Sequence, residues 1–160
     1  MGRLKHRTFP GCTYFVTTDT RQKRELFRVT ELAEIVVQRI ISCRAQGAYL
    51  LHEFVLMPNH LHLLITPRDT TSFEKAIQLI KGGSSHQIHE QRGHRMEIWQ
   101  PGFHEWTVRD AGDYDARVEY IRMNPVRAKL VDRSEEWPYS SASGRFRLDD
   151  IPQGLKPLRV

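Results

Sequence analysis

Cysteine is scarce in this chain. Cys12 and Cys43 stand far apart, with neither the even framework of a disulfide-stapled secreted scaffold nor the C-x-x-C spacing of a zinc or thiol redox site. Both are expected to be buried thiols in a reducing compartment. Long apolar runs are absent as well. No stretch approaches the roughly 20 residues that a helix needs to cross a bilayer, and the basic start Met1-Gly2-Arg3-Leu4-Lys5-His6-Arg7 is not followed by a signal-peptide apolar segment. The expectation is a cytoplasmic protein with no membrane partner. Repeats, low-complexity blocks and obvious linkers are missing too, and 160 residues is the usual size of one domain. One domain over residues 1–160 is expected, with a basic arm at 1–10 and an irregular tail at 138–160. Acidic residues are outnumbered, 19 against 24 Lys and Arg, and the net charge of +5 favours a polyanionic partner without naming it.

What is present divides into seven elements. Cys12 to Thr18 is β-branched and aromatic after Pro10-Gly11 and predicts a strand, followed by a polar loop from Asp19 to Arg24. Thr30 is a plausible N-cap for a helix to about Gln46, with Gly47 as its stop. Tyr49 to Met57 and His60 to Thr66 predict two strands around a Pro58-Asn59 turn. Ser72 suits the cap of a second helix that Gly82-Gly83 breaks or bends, leaving Ser84 to Arg95 as a short helix or a loop. Trp106 to Arg109 suggests a last strand, and Asp113 the cap of a helix that ends near Met123, before Asn124-Pro125. The order β, α, β, β, α, β, α suits an α+β fold, an antiparallel sheet with helices packed on one face.

Two patterns carry chemistry. In His60-Leu61-His62-Leu63-Leu64-Ile65 the strand period of two places both imidazoles on one face and Leu61, Leu63 and Ile65 on the other. Paired neutral imidazoles suit joint coordination of a divalent ion, and equally suit two hydrogen-bonded surface histidines. A histidine-triad hydrolase would want a third histidine at position 64, where Leu64 stands. On the last helix, Tyr114, Val118 and Ile121 form an apolar stripe, while Arg117, Tyr120 and Asn124 cluster on a polar flank beside it. Tyr120 on that flank is either the packed edge of the stripe or a nucleophile.

Met57-Pro58-Asn59-His60-Leu61-His62-Leu63-Leu64 and Tyr120-Ile121-Arg122-Met123-Asn124-Pro125-Val126-Arg127-Ala128-Lys129-Leu130-Val131, with Trp99-Gln100-Pro101-Gly102-Phe103-His104 and Trp137-Pro138-Tyr139-Ser140-Ser141, resemble the HUH single-tyrosine transposases and, within them, the REP-associated tyrosine transposases. The resemblance implies a ferredoxin-like HUH nuclease core, His60 and His62 as metal ligands, and Tyr120 as the nucleophile. Asn124 takes the place of a polar third ligand, where related transposases often carry Gln, and His104 or Glu105 compete for it. Magnesium prefers oxygen ligands, whereas two imidazoles and an amide also suit manganese, so either Mg2+ or Mn2+ is expected as cofactor.

The same resemblance implies single-stranded DNA hairpins as partner, and cleavage that leaves a 5′-phosphotyrosyl strand and a free 3′-hydroxyl for later joining. A phenol is protonated at neutral pH, so Tyr120 must shed its proton as it attacks. Arg3, Lys5, Arg7, Arg21, Lys23, Arg24 and Arg117 are candidate phosphate contacts. Lys81 is another, aided by the backbone amides of Gly82-Gly83-Ser84-Ser85. Phe103 and Trp106 suit base stacking or core packing. A monomer is expected in preference to a homodimer. The competing readings are a hairpin-binding protein without catalysis and a metal-dependent phosphohydrolase with a structural Tyr120.

Overall fold

The β-branched and aromatic residues that follow Gly11 fold as strand β1 (Tyr14–Asp19), and the computed structural model, which describes residues 11–155, then continues through α1 (Thr30–Ala45), β2 (Tyr49–Met57), β3 (His60–Pro67), α2 (Phe73–Arg92), β4 (His104–Thr107) and α3 (Ala111–Arg127). The strands pair antiparallel in the order β2-β3-β1-β4, so each helical crossover skips over one strand. This is the interleaved βαβ arrangement of the ferredoxin-like fold, as the order of elements predicts.

Strand alternation divides the sheet into two faces. Tyr14, Val16, Phe54, Leu56, Leu61, Leu63 and Ile65 pack under Leu32, Val36 and Ile40 of α1 and Phe73, Ile77 and Ile80 of α2. Phe15, Val55, Met57 and Leu64 point the other way and meet Tyr114 and Ile121 of α3. The expectation of helices on one face therefore holds for α1 and α2, while α3 covers the opposite face. The reason lies in Leu64 and its neighbours: the second face is apolar enough to require a cover. A helix that follows edge strand β4 after three residues is free to fold back over it.

Several boundaries differ from the sequence expectations. Val29 rather than Thr30 precedes α1, without a side-chain cap. Ser72 does cap α2, its hydroxyl accepting from the Lys75 amide at 3.1 Å. The helix then runs through Gly82-Gly83 to Arg92, where Gly93 at φ 72° ends it. Gly83 is a packing residue: Arg39 of α1 lies where a side chain at 83 would stand, and its Nε donates to the Leu79 carbonyl at 2.9 Å. Strand β4 begins at His104 rather than Trp106. Asp110, not Asp113, caps α3 by accepting from the Asp113 amide at 2.8 Å. The helix also passes Asn124-Pro125 to Arg127; Pro125 forgoes one intrahelical bond near the C-terminus and is buried in exchange.

Residues 137–149 hold little regular structure yet are closely packed. Trp137 Nε1 donates to the Leu56 carbonyl at 2.9 Å, the Leu56 amide donates to the Tyr139 carbonyl at 2.8 Å, and Ser140 bridges Val55. Asp149 pairs with Arg44 at 2.7 Å and accepts from the Leu51 amide at 2.8 Å. Together these cover the edge of β2, which would otherwise offer unpaired backbone groups to another chain. Cys43 is buried, whereas Cys12, expected to be buried, is only partly so. Among the described residues no helix is long and apolar enough to cross a membrane.

Candidate active site

The β3 register sets two histidines on the α3 face of the sheet. His60 opens the strand beside the Pro58-Asn59 turn, and the turn is pinned from two sides: the Thr20 amide donates to the Asn59 carbonyl at 2.9 Å and the Phe27 amide to the Pro58 carbonyl at 3.0 Å. His60 Nδ1 donates to Asn59 Oδ1 at 2.7 Å, which leaves Nε2 to face the site. Asn124 of α3 also hydrogen-bonds His60. Burial lowers the His60 pKa; Asp19 and the bond to Asn124 work against that shift and Lys23 with it.

His62 lies opposite Thr17 on β1, whose hydroxyl is hydrogen-bonded to Nδ1 at 2.8 Å. Its ring stacks on Phe15, centroids 5.3 Å apart, and meets His60 edge-on at 4.7 Å. Burial, reinforced by His60 alongside, pushes the His62 pKa down to about 3. The imidazole is therefore neutral at any physiological pH. Its buried Nε2 makes no hydrogen bond. A neutral imidazole anchored through Nδ1, with an unpartnered buried Nε2, has the form of a metal ligand held by an outer-shell partner.

Tyr120 comes to this pair from above. The stripe of Tyr114, Val118, Ile121 and Pro125 seats α3 on the sheet, leaving Tyr120 at its flank. The phenol ring stands 5.3 Å from the His62 ring and 5.9 Å from Phe15, and is 41% exposed, so a ligand in solvent reaches it. Arg127, two turns on, holds its guanidinium 5.9 Å from the centre of the Tyr120 ring. Arg117, one turn before, lies over Phe15 at 4.8 Å and pairs with Asp113 at 3.5 Å.

His60, His62, Asn124 and Tyr120 thus converge. Among the described residues no third His, Cys, Asp or Glu joins the histidine pair in a metal-holding group. Glu105 is opposite Val16 and so faces α1 and α2, and His104, opposite Thr17, is separated from His62 by the width of β1. Neither stands beside the two histidines as Asn124 does, and a set of two imidazole nitrogens and one amide oxygen would suit a divalent ion of manganese or magnesium type.

The basic candidates are dispersed. Arg3, Lys5 and Arg7 lie outside the described residues. Arg21 pairs with Glu97 at 3.1 Å and Arg24 donates to the Glu97 carbonyl. Lys23 stands at the rim of the histidine site, where its charge acts on His60 and its carbonyl accepts from Asn59 at 3.4 Å. Lys81 Nζ donates to the Gln100 and Gly102 carbonyls at 2.8 and 2.6 Å, and the amides of Gly82 to Ser85 lie inside a continuous helix. Burial pushes Lys81 down to about 8.

Sequence reasoning missed Thr17, Phe15 and Arg127. Arg127 stands at i+7 from Tyr120 and was legible as its neighbour had the helix been carried past Pro125.

A family profile described as "Transposase IS200 like" matches residues 8–124. The chain is 27% identical to the REP-associated tyrosine transposase of Escherichia coli (strain K12) over 159 residues, 99% of this chain and 90% of that one. Among solved structures it is similar to a REP-associated tyrosine transposase bound to a REP hairpin, with a TM-score of 0.74, 24% identity, and coverage of 99% of this chain and 100% of the other. The resemblance drawn from the histidine and tyrosine segments is borne out. A bacterial tRNA(HIS) guanylyltransferase-like protein in complex with GTP also matches, with a TM-score of 0.51 at 11% identity over 79% of this chain and 70% of that one. The same sheet therefore hosts other chemistry, and the function has to be sought in the site.

Proposed function

Because this chain belongs to the IS200-like transposase family, we propose that it cuts and rejoins single-stranded DNA beside REP-like hairpins, with Tyr120 as nucleophile and a divalent ion at His60, His62 and Asn124. The observation that carries the reading is the approach of the Tyr120 ring to within 5.3 Å of a neutral His62 whose buried Nε2 has no partner. When bound, the ion would polarise the scissile phosphate and relieve charge on its nonbridging oxygens.

The chain's own groups perform the remainder. Tyr120 Oη attacks phosphorus in line, the P–O3′ bond breaks, and the electron pair leaves on the 3′ oxygen, which takes up a proton as the phenol loses one. The products are a tyrosyl 5′-phosphodiester and a strand ending in a 3′-hydroxyl. The phosphodiester bond energy is conserved, so a second 3′-hydroxyl can reverse the step and join a new strand. Arg127 beside Tyr120 supplies positive charge where the phosphate must sit. Lys23 borders the His60 end of the site and suits the flanking backbone. The tyrosine helix reaches the histidines within one chain, which supports a monomer as the working unit.

The test is a denaturing gel of the protein with end-labelled hairpin DNA, with manganese, with chelator, and with Tyr120→Phe. A metal-dependent covalent band that vanishes in the variant while DNA binding persists is expected. Binding with no adduct on any hairpin would leave a DNA-binding protein without catalysis, and turnover unchanged in Tyr120→Phe would make the phenol structural, as in a phosphohydrolase.

A further inference from the structure

We propose that Trp106 and Arg117 form a stacking subsite for one nucleobase of the strand held at Tyr120, an inference that rests on the DNA-cleaving reading above. Trp106 sits on the short edge strand β4 and is 45% exposed, with Tyr120 and Val29 one of the few large apolar side chains left open to solvent among the described residues. Its register opposite Phe15 places it on the face that carries His62 and Tyr120. Phe15 is the shared wall: its ring lies 5.4 Å from Trp106, 5.9 Å from Tyr120 and 5.3 Å from His62. A strand engaged at Tyr120 is therefore already beside Trp106.

The chemistry of the surroundings selects a base over a phosphate. Arg117 spreads its guanidinium 4.8 Å from the Phe15 centroid and 5.5 Å from that of Trp106, held there by Asp113. A cleft of about 640 Å³ opens next to it, lined by Glu105, Trp106, Thr107, Arg109, Asp110, Asp113 and Arg117. The three carboxylates in that lining, Glu105, Asp110 and Asp113, disfavour an anion but accept hydrogen bonds from exocyclic amines. An exposed indole and a guanidinium plane offer the π-faces on which a heteroaromatic ring stacks without regard to sequence. Trp106 is thus a positioning residue, setting the strand's register relative to the nucleophile.

The experiment uses the full chain carrying Tyr120→Phe, so that the DNA stays intact and binding is read apart from cleavage. Hairpin oligonucleotides with 2-aminopurine at each successive flanking position are titrated. One position should be quenched on binding; Trp106→Ala should abolish that quench and weaken affinity about tenfold, whereas Trp106→Phe should stay within about threefold. An abasic site at the same position should weaken the parent about tenfold and leave Trp106→Ala unaffected. Full binding with no position coupled to Trp106 overturns the subsite alone, leaving Tyr120 chemistry standing. Absence of hairpin binding overturns both readings.

Discussion

Thr17 stands opposite His62 with its hydroxyl 2.8 Å from Nδ1, and that single bond decides which nitrogen of a buried neutral ring faces the site. Removing it should not unfold the sheet, because Thr17 is partly exposed and valine suits a strand at least as well. Thr17→Val is expected to weaken manganese binding about 10- to 100-fold by isothermal titration, with Tm little changed. Equal affinity in the variant would show that packing against Phe15 alone orients His62. The histidine spacing was legible in the sequence because strand alternation is local. Thr17, Phe15 and Asn59 were not, since they become neighbours of the histidines only through pairing and turn geometry.

At the scale of elements, α3 is held in place by a buried carboxylate. Glu53 on β2 receives Arg122 Nε at 3.0 Å and Nη2 at 2.5 Å on one oxygen and the Ser141 hydroxyl on the other. This links a strand, the tyrosine helix and the tail. Arg122→Ala leaves Glu53 with one partner in a buried site, so a loss of about 2 kcal/mol is expected in urea unfolding, discounted for the half-exposed guanidinium. The loss should shrink when Glu53→Gln is combined with it. Additive effects would show that the two side chains are not coupled. The helices themselves were largely legible from periodicity and caps. Their ends were not: Gly82-Gly83 and Pro125 are breakers in isolation, and tertiary packing against Arg39 and the sheet overrides them.

Across the whole molecule, the tail returns to strap β2. Burial pushes the Asp149 carboxyl up, but hydrogen bonds from Arg44 and the Leu51 amide, with the Arg44 charge, outweigh it and hold Asp149 below its ordinary 3.8. A carboxyl depressed in the folded state stabilises that state above the unfolded pKa and ceases to as pH falls through the folded value. Stability is therefore expected to fall on acidification from about pH 4 downward, and Asp149→Asn should lower Tm at pH 7 while flattening that acid limb. An unchanged limb would assign the acid sensitivity to other carboxylates.

The sequence by itself determined the element order, the two histidines on one strand face and the tyrosine on a helix flank, because each follows from a period of two or of 3.6 along one segment. It also carried the family through two short segments. Only the tertiary structure decided that α3 crosses to the histidine face, that Asn124 and Tyr120 reach His60 and His62, and that an irregular tail closes the sheet edge. Those are contacts between segments far apart in the chain, set by which apolar face remains uncovered once α1 and α2 have taken the other, and no local pattern encodes them.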